Sequence, residues 1–217
     1  MVLTSSTAAI FPGNELAEGQ AFTEEMWSDL SKDIGAYERS KTLAERAAWE
    51  FMEKNLNGSS MELATVNPSL VLGPGMGDAA NTSNEALAKL LRREVPGVPR
   101  LQVPTVDVRD VASGHLRAMT TPEAAGKRFI LSAADTWFTD FASILKQGGY
   151  SVPTWVLPNW LVRVVGLFDG SVRLVAPNLG KQMRNSNEKA RSILGWIPRS
   201  IEETILDTAA DITARSH

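Results

Sequence analysis

The chain has 217 residues, of which 43% are hydrophobic and 22% charged, with a formal net charge of -3. That composition supports a sizeable core and argues against both disorder and nucleic-acid binding driven by backbone electrostatics. The absence of cysteine excludes disulfides, zinc–cysteine sites and thiol nucleophiles, and two histidines, His115 and His217, disfavour a multi-histidine metal site or a histidine-based triad.

The chain opens on Val2-Leu3-Thr4, which reads as a buried strand with no polar lead-in, as if it began inside a fold. Ser5 and Ser6 stand at its C-terminal end. Residues 8–32 form a long connection with Pro12, Gly13, Gly19 and many acidic side chains. Such loops in α/β enzymes often line the site. Residues 37–55 form the clearest helix: Leu43, Ala47 and Phe51 recur every four residues, flanked by Ala44, Ala48 and Met52. This stripe would pack on a sheet or form a dimer interface. Glu38, Arg39, Glu45, Arg46 and Glu53 fall on the remaining surface. Asn57-Gly58-Ser59-Ser60 is a stop and turn.

A second buried strand covers 61–66 and ends at Asn67-Pro68, before a loop at Gly73-Pro74-Gly75-Met76-Gly77. Asn81 or Ser83 caps a helix running to about Glu94. Residues 96–104 are a loop with a short strand, and 106–119 contain a helix with Asp107 or Asp110 near its start. His115 sits in that helix as a packed or surface residue rather than a catalyst. A third strand covers 127–132 and a further helix 136–147. Beyond Gly148 the chain is irregular and apolar to Pro158, followed by short helices at 159–168, 171–175 and 186–194, the last ended by Gly195. Ser200 caps a final helix. Trp155, Trp160, Leu161, Val164 and Phe168 are either lobe core or the lining of an apolar substrate pocket. Strands alternating with helices predict an α/β fold with parallel strands. The division expected is 1–148 as a partial Rossmann-like portion and 149–217 as a mostly helical substrate lobe. No apolar run reaches membrane-spanning length and 1–3 is too short for a signal-peptide core, so a cytoplasmic protein without a membrane or nucleic-acid partner is expected.

The chemistry is concentrated in Tyr37-Glu38-Arg39-Ser40-Lys41. A tyrosine and a lysine four residues apart share one helix face. An ordinary phenol, with a pKa of about 10, is a poor acid–base catalyst near neutrality. Lys41 places a cation beside the phenol, and a cation favours the phenolate. A serine at the end of an apolar strand can meet the same face and donate to a carbonyl oxygen as negative charge develops there. Tyr-x-x-x-Lys alone is weak, because this spacing recurs on solvated helix faces.

Taken with Ser5-Ser6, Val66-Asn67-Pro68-Ser69-Leu70-Val71-Leu72-Gly73-Pro74, Val106-Asp107-Val108-Arg109-Asp110-Val111-Ala112, and the run from Asn187-Glu188-Lys189-Ala190 to Leu194-Gly195-Trp196, the chain resembles an extended short-chain dehydrogenase/reductase. The likeness is to the dihydroflavonol-reductase-like and aldehyde-reductase-like branch of the epimerase/dehydratase superfamily. It implies Ser6, Tyr37 and Lys41 as the catalytic triad, with Ser5 as the fallback serine. It also implies Pro68 and Leu70 facing the nicotinamide of NADP or NAD, and Ser83 helping to hold the cofactor. Strand termination and helix capping account equally for Pro68 and Ser83. The expected activity is NAD(P)H-dependent reduction of an aldehyde or ketone. An inactive remnant binding a small molecule or protein, and an epimerase or dehydratase using the same triad, are the alternatives. The resemblance also implies a departure: the first Rossmann half, with its glycine-rich pyrophosphate turn, is not in this sequence, and the Gly73–Gly77 loop lacks the spacing to replace it. Cofactor binding by this chain alone is therefore in question. The first strand would carry an open edge, inviting a homo-oligomer or other pairing through it.

Overall fold

The regular elements of the computed structural model run, in chain order, β1 (Val2–Thr4), α1 (Ala36–Asn55), β2 (Ala64–Pro68), β3 (Leu70–Leu72), α2 (Glu85–Leu91), β4 (Val98–Pro99), β5 (Gln102–Asp107) and α3 (Val108–Thr120). There follow β6 (Arg128–Leu131), β7 (Ala134–Trp137), α4 (Phe138–Gln147), β8 (Val156–Leu157), α5 (Asn159–Val165), α6 (Gly170–Val175), α7 (Glu188–Leu194) and α8 (Ile201–Arg215). The structure describes residues 1–11, 16–17, 19–55, 60–76 and 83–215. The expected turn at Asn57-Gly58-Ser59, the candidate cap Asn81, Gly77, Pro12 and Gly13 lie outside the described residues.

Two interleaved units emerge. The first contains Met1–Ser69, Arg109–Ser132 and Arg184–Pro198; the second contains Leu70–Val108, Ala133–Met183 and Arg199–His217.

The first unit is built on a parallel sheet of order β1-β2-β6, registered Val2 to Ala64 and Val66 to Phe129. β2, the central strand, and β6 are both buried along their whole length, as strands of a covered parallel sheet are. Among the described residues β1 pairs on one side only, with β2. Gly114 in α3 permits a close approach to β6, since a Cβ there would stand 2.5 Å from Leu131 Cδ1. Gly195 adopts φ 58° and ends α7 in the left-handed region that favours glycine. The chain then turns Trp196 fully into the core, where its indole N–H donates to Asp110 O at 2.9 Å.

The second unit carries a sheet of order β3-β5-β7 and a small β4-β8 pair. Leu72, Leu87, Leu90, Val98, Phe141 and Ile205 form its main core, which the C-terminal helix α8 completes. A satellite cluster centres on Leu101, Val162 and Leu179.

Several expectations are corrected. The Leu43–Ala47–Phe51 stripe of α1 is exposed, with Leu43 48% and Phe51 54% accessible, while Thr42, Glu45 and Met52 are buried. Glu45, assigned to the solvated face, is 1% exposed. Strand β2 runs through Asn67 and Pro68 rather than ending before them. The loop with a short strand expected at 96–104 holds a short strand, β4, and also the first half of β5. The helix expected from 136 begins at Phe138, behind strand β7. β7 pairs antiparallel with β5, so the sheets are not parallel throughout. α2 stops at Leu91, two residues before Arg93 takes φ 58°, and its N-cap position is Asn84, not Ser83. Trp155, Trp160, Val164 and Phe168 are exposed, so they do not form the lobe core.

Candidate active site

The polar end of β1 and the first turns of α1 supply the site. Ser5 N–H still donates to Val66 O at 2.8 Å as the last rung of the β1–β2 ladder. Ser6 then leaves the sheet with φ -162° and ψ 155° and caps a short 3-10 turn, Thr7–Ala9, accepting from Ala8 N at 3.1 Å. That turn packs against α1. At the head of α1, Tyr37 is 58% exposed and Lys41 Nζ lies 5.8 Å from the centre of its ring. The helix thus brings Tyr37 and Lys41 together, as the four-residue spacing requires. Pro68 closes β2, and its carbonyl accepts from Thr7 Oγ1 at 3.4 Å. Ser6, Tyr37, Lys41 and Pro68 all belong to the first unit. Leu70 opens β3 in the second unit, packed against its main core, and Ser83 lies in the turn before α2.

The two adjacent serines have different surroundings. Ser5 is buried and its hydroxyl donates to Glu45 Oε2 at 2.5 Å. Ser6 is half-buried, and its Oγ accepts from the backbone N–H of Ala8.

Glu45 is the feature that sequence reasoning missed. Its Oε2 accepts from Ser5 and, at 2.8 Å, from Asn67 Nδ2; its Oε1 accepts from Arg128 Nε at 2.7 Å and from Thr65 Oγ1 at 3.1 Å. Asn67 Nδ2 also donates to Ser6 O at 3.1 Å. Arg128 is held in turn by Glu24 O and Met26 O, both at 2.7 Å. Burial pushes the Glu45 carboxyl up, but the Arg128 guanidinium, Ser5 and Asn67 outweigh it and hold the group below its ordinary range. Glu24, accepting from Ile130 N at 2.9 Å, goes the other way: burial dominates and raises it. Two signals were available in the sequence. Arginine opens an otherwise apolar strand at Arg128-Phe129-Ile130-Leu131, and Glu45 follows Tyr37 and Lys41 at the same four-residue interval.

The second unit's Gly73–Gly75 loop is unlike a pyrophosphate cradle. A Cβ at Gly73, which takes φ 128°, would meet Val108 and Asp107, so that space is filled by protein. The Gly75 N–H donates to Asp211 Oδ2 at 3.1 Å, and a carboxylate at that amide opposes phosphate binding.

The parallel β1-β2-β6 sheet has Ser6 just past the C-terminal end of β1, with Tyr37 and Lys41 on α1, and open α/β sheets bind their ligands outside the carboxyl ends of the strands. Residues 1–132 match the NAD dependent epimerase/dehydratase family, and the chain belongs to that family. It is 34% identical over 230 residues to the NADPH-dependent methylglyoxal reductase GRE2 of Saccharomyces cerevisiae, covering 98% of this chain and 63% of that protein. It is 33% identical over 165 residues to a putative dihydroflavonol 4-reductase of Synechocystis, covering 74% of this chain and 45% of that one. The crystal structure of the yeast methylglyoxal/isovaleraldehyde reductase complexed with NADPH superposes with a TM-score of 0.77 at 33% identity, over 99% of this chain and 64% of that one. The chain thus spans between 45% and 64% of the length of these relatives. The resemblance drawn from Tyr37–Lys41 and the strand ends is borne out at the level of family and fold. Among the described residues, no helix is long and apolar enough to cross a membrane.

Proposed function

We propose that this chain carries the proton-transfer machinery of an NADPH-dependent carbonyl reductase. The observation that supports this most is the grouping of an exposed phenol and an ammonium on the first turns of α1, with Ser6 in a turn packed against that helix. NADPH, when bound, supplies hydride to the carbonyl carbon. Ser6 Oγ donates to the carbonyl oxygen and holds it, and Tyr37 Oη delivers the proton to that oxygen. Lys41 Nζ stabilises the phenolate left behind and donates to a ribose hydroxyl. Pro68 and Leu70 line the nicotinamide, Ser83 helps to hold the cofactor, and 149–217 form the substrate lobe.

The test is direct. Titrate the chain with NADPH, follow nicotinamide fluorescence, and assay oxidation of NADPH with methylglyoxal or isovaleraldehyde. Saturable binding with carbonyl-dependent oxidation is expected. No binding at millimolar cofactor would favour a second reading, a non-catalytic module for a small molecule or protein. That reading draws on the Gly75 amide, which is committed to Asp211 rather than open to phosphate. An epimerase or dehydratase would use the same triad and would be recognised by turnover without net NADPH consumption.

A further inference from the structure

We propose that Glu45 is a positioning residue: its buried carboxylate fixes the Ser6 turn against the helix that carries Tyr37 and Lys41. The inference deepens the reductase reading and rests on it. Glu45 lies on α1, one turn beyond Lys41 and two beyond Tyr37. Its Oε2 takes one hydrogen bond from Ser5, the neighbour of Ser6, and one from Asn67, the neighbour of Pro68. The same Asn67 amide holds the Ser6 carbonyl. One carboxylate therefore ties together three separate segments, each bordering a residue of the proposed site. Neutralising Arg128 accounts for the charge but not for the bonds that Oε2 takes from Ser5 and Asn67. An apolar pair at 45 and 128 would pack without the cost of burying two ions. What the ion adds is direction: hydrogen bonds to a carboxylate are short and oriented, whereas apolar packing tolerates slip.

Arg128 makes this arrangement tenable. Its guanidinium meets Glu45 from β6 through Nε at 2.7 Å and Nη2 at 3.3 Å. The opposite face of the fork is fixed by Glu24 O and Met26 O, and by the Trp27 ring. Glu45 can thus stay ionised and keep both oxygens as acceptors for Ser5 and Asn67.

The experiment compares Ser5→Ala, which removes one tether and leaves the ion pair, with Glu45→Gln, and with Gly114→Ala as a destabilised control in the same unit, which presses on Leu131 Cδ1 and removes none of the hydrogen bonds to Glu45. Two readouts are taken on the full chain: kcat and KM for NADPH-dependent carbonyl reduction, and hydrogen exchange of the amides of residues 5–10. Ser5→Ala is expected to lower kcat by about ten-fold or more with little change in KM, because small misplacements of a catalytic group are costly. Exchange in 5–10 should quicken about ten-fold relative to α7. Gly114→Ala should do neither. Unchanged exchange in 5–10 in both Ser5→Ala and Glu45→Gln, or a control that reproduces the kcat loss, would overturn the role. If the parent chain reduces no carbonyl, the reductase reading falls by itself, and the exchange measurement alone decides for or against Glu45.

Discussion

Arg128 stacks its guanidinium 3.8 Å from the centre of the Trp27 ring while its Nε holds the Glu45 carboxylate. The cation thus spends its flat face on an aromatic and its edge on an anion, a division that lysine cannot reproduce. Arg128→Lys keeps the charge and loses both the fork and the stack. It is expected to cost about 2–4 kcal/mol of unfolding free energy. Arg128→Met leaves the buried carboxylate unpaired and should cost more. Urea denaturation followed by tryptophan fluorescence measures both; equal stability of Arg128→Lys and the parent would show that position 128 needs only a positive charge.

The two buried glutamates respond to pH with opposite sign. Glu45 is held below its ordinary 4.5, so its stabilisation is present above about that pH and is lost as the pH falls through its folded value. Glu24 is raised above 4.5, mainly by burial, so stability is lost as the pH rises from about 4.5 to its folded value, the full cost is present above that value, and it vanishes in acid. Glu45→Gln is therefore expected to destabilise at pH 7 by about 3–5 kcal/mol, with the penalty shrinking toward pH 4. Glu24→Gln, which keeps an acceptor for Ile130 N, should be stabilising at pH 7 and neutral toward pH 4. Denaturation midpoints at the two pH values check the signs, and parallel behaviour of the two variants would contradict the assignment.

Local patterns in the chain were enough to place α1, α7, α8 and the parallel sheet of the first unit. Each depends on signals within a few residues: the four-residue recurrence in α1, Gly195 after α7, Ser200 before α8. Ser200 Oγ does accept from Glu203 N at 3.1 Å. The Tyr37–Lys41 pair was legible for the same reason, since helix geometry alone brings the two side chains together. What was not legible depends on distant partners. Glu45 looks like a surface acid until Ser5, Asn67 and Arg128 converge on it from three strands. Strand β5 was hidden by Pro104, which argues against a central strand. In the fold β3 pairs only with Thr105–Asp107, so at Pro104 the strand is bonded to β7 alone and its missing N–H costs no rung on the β3 side. β7 has four residues and includes Asp135, too short and too polar to announce itself.

Tyr37 is the most exposed of the proposed catalytic groups and has few structural duties. Its side chain is 58% accessible, and its backbone carbonyl, which accepts from Ser40 Oγ at 2.8 Å, survives any substitution. Tyr37→Phe should therefore leave stability within about 0.5 kcal/mol of the parent. Removing the phenolic proton should lower kcat for carbonyl reduction by about 10²–10⁴-fold. Lys41→Met should lower kcat and also weaken NADPH binding, since the ammonium is assigned to both phenolate and ribose. Steady-state kinetics with a thermal melt separates these effects. Full turnover in Tyr37→Phe would remove the phenol from the mechanism.

In the second unit, α8 grips the Gly73–Gly75 loop from its C-terminal end. Asp211 accepts from Gly75 N at 3.1 Å, and Arg215 donates to Gly75 O while pairing with Asp211 Oδ1 at 3.0 Å. Burial raises the Asp211 carboxyl, but the Gly75 amide and Arg215 prevail and hold it below 3.8. The grip satisfies both backbone groups of one glycine with a single i, i+4 pair, so the loop's order depends on two side chains of the last helix. Asp211→Ala removes the acceptor and the Arg215 ion pair. Met76, beside Gly75 and 99% exposed, then becomes the reporter. Thermolysin cleavage before Met76 is expected to quicken about five- to ten-fold, because local opening sets the rate of nicking at a loop tip. Far-UV circular dichroism should stay unchanged, since Asp211 lies only 5 residues from the end of α8 as counted from Arg215 inclusive. Cleavage at the parental rate in Asp211→Ala would mean that the loop is held by its own packing against Val108 and Asp107 rather than by the helix.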